Sequence, residues 1–138
     1  MTALPRVHDL MNDRTEAVRV DDDVGAVIIM LIDRGITGAP VLDGDGRVVG
    51  MIGERQCLAL LTRGDKDADR PRGTVADFMT TEFCPVTPEM DIYYVAGLFN
   101  KHPNRRRFPV IKDDKLVGVI TRKDVLRGVR ILWESEGA

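Results

Sequence analysis

Apolar residues recur along this chain with two periods, and the switch from one period to the other happens twice. Val24, Val27, Ile28 and Leu31 stand at helical spacing, and so do Ile92, Val95, Ala96 and Phe99. Asp22 or Asp23 can cap the first of these helices. Each helical stretch is followed by two short apolar runs, "APVL" then "RVVGMI", and "FPVI" then "KLVGVI". These predict paired strands, and the intervening "DGDG" and "KDD" carry hairpin-turn residues. Upstream of each helix the pattern predicts a short helical turn (Val7–Met11, Val75–Met79) and a brief extended piece (Ala17–Val20, Cys84–Thr87). A closing helix ends each set, the second running on through Val125, Val129, Leu132 and Trp133.

The chain is therefore duplicated. "VVGMIGERQCL" at 48–58 answers "LVGVITRKDVL" at 116–126, and "VHDLM" at 7–11 answers "VADFM" at 75–79. The boundaries read as a first repeat over 5–62, a polar linker over 63–73 and a second repeat over 74–133. Each repeat has the order strand–helix–strand–strand–helix, and the fold class is α+β. A unit of about 60 residues buries too little surface to be comfortably stable alone. Two copies packed with pseudo-two-fold symmetry would cover each other's sheets.

Composition narrows the functional classes. The 138 residues suit one compact module, and a net charge of −2 gives no electrostatic case for nucleic acid or a membrane surface. Aromatics at 5% argue against stacking on single-stranded nucleic acid. The longest strongly apolar run, Val27–Ile32, is far shorter than a membrane span, and the N-terminus lacks a secretory apolar core. Cys57 and Cys84 have no metal or redox spacing and read as small buried side chains in a reducing cytoplasm. No catalytic constellation is evident, which predicts a protein that is not an enzyme.

The two copies differ where chemistry could reside. Thr121 and Asp124 at the head of the last helix form a Thr-x-x-Asp capping signature. Their counterparts, Gly53 and Gln56, can still cap a helix but offer neither hydroxyl nor carboxylate. A carboxylate can accept two bonds from a vicinal diol, whereas an amide offers one acceptor oxygen and no charge. Arg105, Arg106 and Arg107 precede the second "PV" strand, where the first copy has Ile36, Thr37 and Gly38. Guanidinium groups suit phosphate, although a solvated charge run is the plainer reading. In an extended segment one or two of the three would face a ligand and the rest solvent. Asp21, Asp22 and Asp23 would repel an anion from the first copy. "GDGRVVG" leads into a strand, so it is a hairpin turn and not a dinucleotide fingerprint, and its acidic residues lack calcium-loop spacing. His8 and His102 are isolated from other ligand types and suit surface or cap positions. Tyr93, Tyr94 and Trp133 suit core or dimer contacts on helix faces.

Taken in order, the duplicated Pro40-Val41 and Pro109-Val110 strand starts, the two hairpins and "TRKD" resemble a tandem cystathionine-beta-synthase (CBS) domain pair, or Bateman module. The resemblance spans roughly residues 5 to 130. It implies a cleft between the repeats that takes an adenosine ligand: AMP, ADP, ATP or S-adenosylmethionine. By family position Asp124 would bond the ribose, Thr121 with Arg105–Arg107 the phosphates, and Thr80, Cys84 and the backbone near Pro109 would line the base pocket. It also implies a homodimer and a regulated protein partner. The rival expectation is a docking module without ligand, in which Asp124 is only a cap.

Overall fold

A computed structural model describes residues 4–63 and 72–137, so most of the expected linker lies outside the described residues. In chain order the elements are α1 (Val7–Leu10), β1 (Val18–Arg19), α2 (Val24–Arg34), β2 (Gly38–Leu42), β3 (Val48–Gly53) and α3 (Glu54–Arg63). They continue with α4 (Val75–Phe78), α5 (Ile92–Lys101), β4 (Arg107–Lys112), β5 (Lys115–Thr121) and α6 (Arg122–Gly137). The mixture is α+β, with β1-β2-β3 in one sheet and β4-β5 in another.

Local chemistry accounts for the element ends. Asp23, not Asp22, caps α2, accepting the Ala26 N–H at 3.1 Å. Asp22 instead accepts the Arg19 N–H at 2.9 Å and closes the turn ahead of the helix. Gly35 ends α2 at φ 65°, in the left-handed region that favours glycine. The β4–β5 hairpin has a two-residue loop, Asp113-Asp114, and both residues have positive φ (52° and 62°). That is the type I′ geometry whose twist matches the flanking strands. The β2–β3 loop is longer, and Gly46 takes its left-handed position at φ 81°.

The piece Cys84–Thr87 does not form the strand that the first copy's β1 suggests. Only Val86 pairs, parallel to Val110, donating to the Pro109 carbonyl at 3.0 Å and accepting from Ile111 at 2.9 Å. Pro85 and Pro88 flank it and have no N–H to extend a ladder.

Two compact units result, and they do not follow the sequence repeats. One runs from Glu16 to Phe83, and the other joins the segment up to and including Thr15 to the segment from Cys84 onward. The opening turn of each repeat is exchanged. Val7 and Leu10 of α1 pack with Val86, Ile92, Val95, Phe99, Phe108, Val110, Ile120 and Val125. Val75 and Phe78 of α4 pack with Val24, Val27, Leu31, Val41 and Ile52. Backbone bonds repeat the exchange: Val7 N–H donates to Met90 and Val75 N–H to Asp22, each at 2.9 Å. Ile92 N–H donates to Pro5 at 2.9 Å and Val24 N–H to Gly73 at 3.0 Å.

Candidate functional site

Seven of the eight residues singled out from sequence lie in the unit that contains α5, β4, β5 and α6, and Thr80 lies in the other. The antiparallel register sets Arg107 of β4 directly opposite Thr121 of β5. Directly opposed residues share a face of a ladder, so the guanidinium stem and the hydroxyl emerge side by side. The equivalent pair in the first copy is Gly38 opposite Gly53, which presents bare backbone.

Thr121 leads straight into α6. Asp124 Oδ2 accepts the Thr121 N–H at 2.8 Å and the Thr121 hydroxyl at 3.0 Å, and the Asp124 N–H donates to Thr121 Oγ1 at 3.3 Å. This is a reciprocal capping box. The carboxylate is only 5% exposed, and its other oxygen, Oδ1, accepts from Arg127 one turn along the helix. A charge this buried needs such partners, because desolvation without them is costly. The first copy keeps the cap without the charge: Gln56 Oε1 accepts the Gly53 N–H at 2.9 Å. A β-carbon at position 53 would lie 2.9 Å from the Thr37 carbonyl, so a threonine there meets backbone.

The segment before β4 is tied to the head of α6. Arg122 donates to the carbonyls of Pro103 and of Arg105, the second at 3.3 Å, and its guanidinium lies 5.9 Å from the Phe99 ring centre. Phe99 stacks on Phe108 of β4 with ring centres 4.1 Å apart, which fixes α5 against the strand. Arg105 and Arg107 are half-buried and Arg106 is exposed, in keeping with alternation along an extended segment. Pro109 is buried, and Cys84 is half-buried against the core of the same unit.

Sequence reasoning missed Arg122, which ties the Pro103–Arg105 segment to the head of α6, and Arg127, which pairs with Asp124. Arg127 had a signal, since a basic residue three positions after Asp124 falls on the same helix face. Arg122 had none, because its partners come from a loop far away in sequence. The N-terminus of a helix carries N–H groups and a partial positive charge, and the arginines add to that field. The arrangement suits an anion with hydrogen-bonding oxygens.

Thr80 lies in the other unit. Its N–H and carbonyl pair with Met51 at 2.9 Å each, and its hydroxyl accepts the Glu82 N–H at 3.1 Å. Asp21–Asp23 form the lead-in to α2, His102 supplies a backbone cap to α5, and His8 is exposed. Among the described residues no three His, Cys, Asp or Glu side chains gather as a metal site, and no helix is long and apolar enough to cross a membrane.

A family model described as CBS domain matches residues 7–63 and again 75–131. CBSX2 from Arabidopsis thaliana has a solved structure that is 26% identical with a TM-score of 0.80, covering 96% of this chain and 99% of that one. A structure of CBSX2 in complex with AMP is also 26% identical, with a TM-score of 0.78 over 92% of this chain and 97% of that one. The A-adding tRNA nucleotidyltransferase of Aquifex aeolicus is 27% identical over 125 residues, 91% of this chain but only 14% of the enzyme. The chain thus spans a small part of that larger relative.

Proposed function

The chain belongs to the CBS domain family as a tandem pair, and from that premise we propose that it is a regulatory module sensing an adenosine nucleotide through its second repeat. Asp124 would accept one ribose hydroxyl through the remaining lone pair of Oδ1, or both if the ligand displaces Arg127. Thr121 and the Arg105–Arg107 group would hold the phosphates, and Cys84 with the Pro109 backbone would border the base. AMP, the ligand described for CBSX2, leads the candidates, followed by ADP, ATP and S-adenosylmethionine. The ligand would act by binding two states of the module unequally, and a protein partner would read the shift. The module would regulate and not catalyse, and it would work in the cytoplasm as a homodimer.

The observation that carries this reading is the asymmetry at equivalent positions. Arg107 faces Thr121 and Asp124 follows, where the first copy has Gly38, Gly53 and Gln56. Capping alone does not require the difference, since Gln56 caps as well.

A second reading has its own observation. Both oxygens of Asp124 already have partners in Thr121 and Arg127, as a ligand-free docking module would require. A thermal-shift panel with AMP, ADP, ATP and S-adenosylmethionine separates the two. Ligand at 100 times its dissociation constant adds about 2.7 kcal/mol, a rise of several degrees. We expect that rise with at least one nucleotide and its loss in Arg107→Ala. Flat melting curves across millimolar ligand would favour the docking reading.

A further inference from the structure

An ionised carboxylate has about four acceptor positions on its two oxygens, and those of Asp124 are largely taken. Oδ2 accepts both the N–H and the hydroxyl of Thr121, and Oδ1 accepts from Arg127. One position on Oδ1 remains. A vicinal diol brings two donors, so it meets one open place and one held by a guanidinium. The two members of that ion pair are unequal. The Asp124 side chain is 6% exposed and the Arg127 side chain 50%. The arginine can swing into solvent, and the carboxylate cannot follow it. A half-solvated guanidinium loses little by leaving. The carboxylate left behind keeps both Thr121 donors and the positive end of α6 to hold its charge.

The first copy lacks both members of the pair together. Gln56 stands for Asp124 and Ala59 for Arg127, each 68 positions earlier. The neutral Gln56 still caps α3 through the Gly53 N–H. The cation is present in the copy that has the carboxylate and absent in the copy that does not. That link ties Arg127 to Asp124 and not to the needs of a closing helix.

We propose that Arg127 is a built-in competitor at the ribose site, holding Oδ1 until a ligand with an intact 2′,3′-diol displaces it. The proposal rests on the reading of Asp124 as the ribose contact, and it adds the residue that sets how strongly the site prefers ribose. A sugar with one hydroxyl fits the open position on Oδ1 and leaves Arg127 in place. A ribonucleotide gains its second bond only by breaking the ion pair. The penalty of displacement falls on the ribonucleotide alone, so Arg127 blunts the discrimination between ribose and deoxyribose.

The test compares AMP, ADP and ATP, each beside its 2′-deoxy form, by titration calorimetry on the wild type, Arg127→Met and Arg127→Lys. Methionine keeps an unbranched apolar stem without the charge. The ribonucleotide that binds the wild type should bind Arg127→Met about threefold to fivefold more tightly, the size of a half-exposed ion pair. Its deoxy form should bind the two proteins equally, so the ribose-to-deoxyribose ratio rises by the same factor. Arg127→Lys keeps a cation within reach of Asp124 and should fall between them. If Arg127→Met melts too low to titrate, Arg127→Lys carries the comparison with a smaller rise. A purely structural role would loosen both ligands alike, and a phosphate contact would weaken both. An unchanged or lowered ratio of either kind would overturn the proposal and leave the ribose reading standing, provided Asp124→Asn loses the ribonucleotide. Absence of ribonucleotide binding in the wild type and both variants would overturn the reading and the proposal together.

Discussion

Replacing Asp124 by Asn keeps an acceptor oxygen toward Thr121 but removes the charge that faces Arg127. We expect Asp124→Asn to cost about 1–2 kcal/mol in chemical denaturation and Asp124→Ala about 1–3, since alanine loses the cap as well. If the residue also clasps a ribose, Asn should abolish the nucleotide-dependent rise in melting temperature at a stability cost too small to explain the loss. Unchanged nucleotide binding in Asp124→Asn would reduce the residue to a cap. Burial in the core around Val24, Val41 and Ile52 raises the Cys57 thiol pKa, favouring the neutral form. Because the folded value lies above the unfolded one, this contribution is full below the ordinary thiol pKa and fades as pH rises through it. Cys84 should therefore react first with a thiol reagent at pH 8, and Cys57 should react only as the protein unfolds. The Asp77 carboxylate is shifted the other way, below its usual range, chiefly by the Thr74 backbone N–H and then by the Thr74 hydroxyl. The support it lends to the start of α4 is present above the ordinary carboxylate pKa and is lost as pH falls below it.

Hairpins, caps and helix faces were legible before the structure because they depend on neighbours in sequence. Asp23 and Gln56 stand where capping geometry places them, and two aspartates were sufficient to mark the β4–β5 turn. The aspartates are not the optimal choice. Asp114→Gly relieves a positive-φ residue, and we expect it to stabilise the protein by about 0.5–1 kcal/mol, read as a rise of a few degrees in melting temperature. Mid-strand Gly118 is constrained in the opposite sense. A β-carbon there would lie 2.8 Å from both the Asn12 carbonyl and the Met11 sulfur, so Gly118→Val should detach the segment that pairs with Val119. Loss of amide-exchange protection at Asn12 and Val119 would report it, and unchanged protection would refute the close approach. The second copy's missing strand was less legible. The repeat suggested that Cys84–Thr87 would match β1, and Pro85 and Pro88 outweighed the analogy by removing the donors a ladder needs.

At the scale of the whole chain, two compact units each borrow the opening turn of the other repeat. A defect in α1 should therefore be felt far away in sequence. Val7→Ala removes a buried side chain from the core of the second repeat and should cost about 1–3 kcal/mol. Its exchange signature should appear in α5, β4, β5 and α6, with α2, β2 and β3 little changed. Faster exchange confined to residues 18–63 would contradict the assignment. Residues 75–131, although matched by the CBS domain model, should be unstable by themselves because they lack Val7 and Leu10 and carry an α4 that belongs to another core.

By itself the sequence determined the α+β class, the duplication, the element order of the first copy and the contrast between Thr121–Asp124 and Gly53–Gln56. All of these follow from local spacing and from comparing one copy with the other. Only the tertiary structure decided that α1 and α4 are exchanged, that Arg107 stands opposite Thr121, and that Arg122 ties the Pro103–Arg105 segment to the head of α6 while Arg127 pairs with Asp124. Those facts turn on which of two similar cores an apolar turn enters and on strand register, and both are settled by packing between residues distant in the chain.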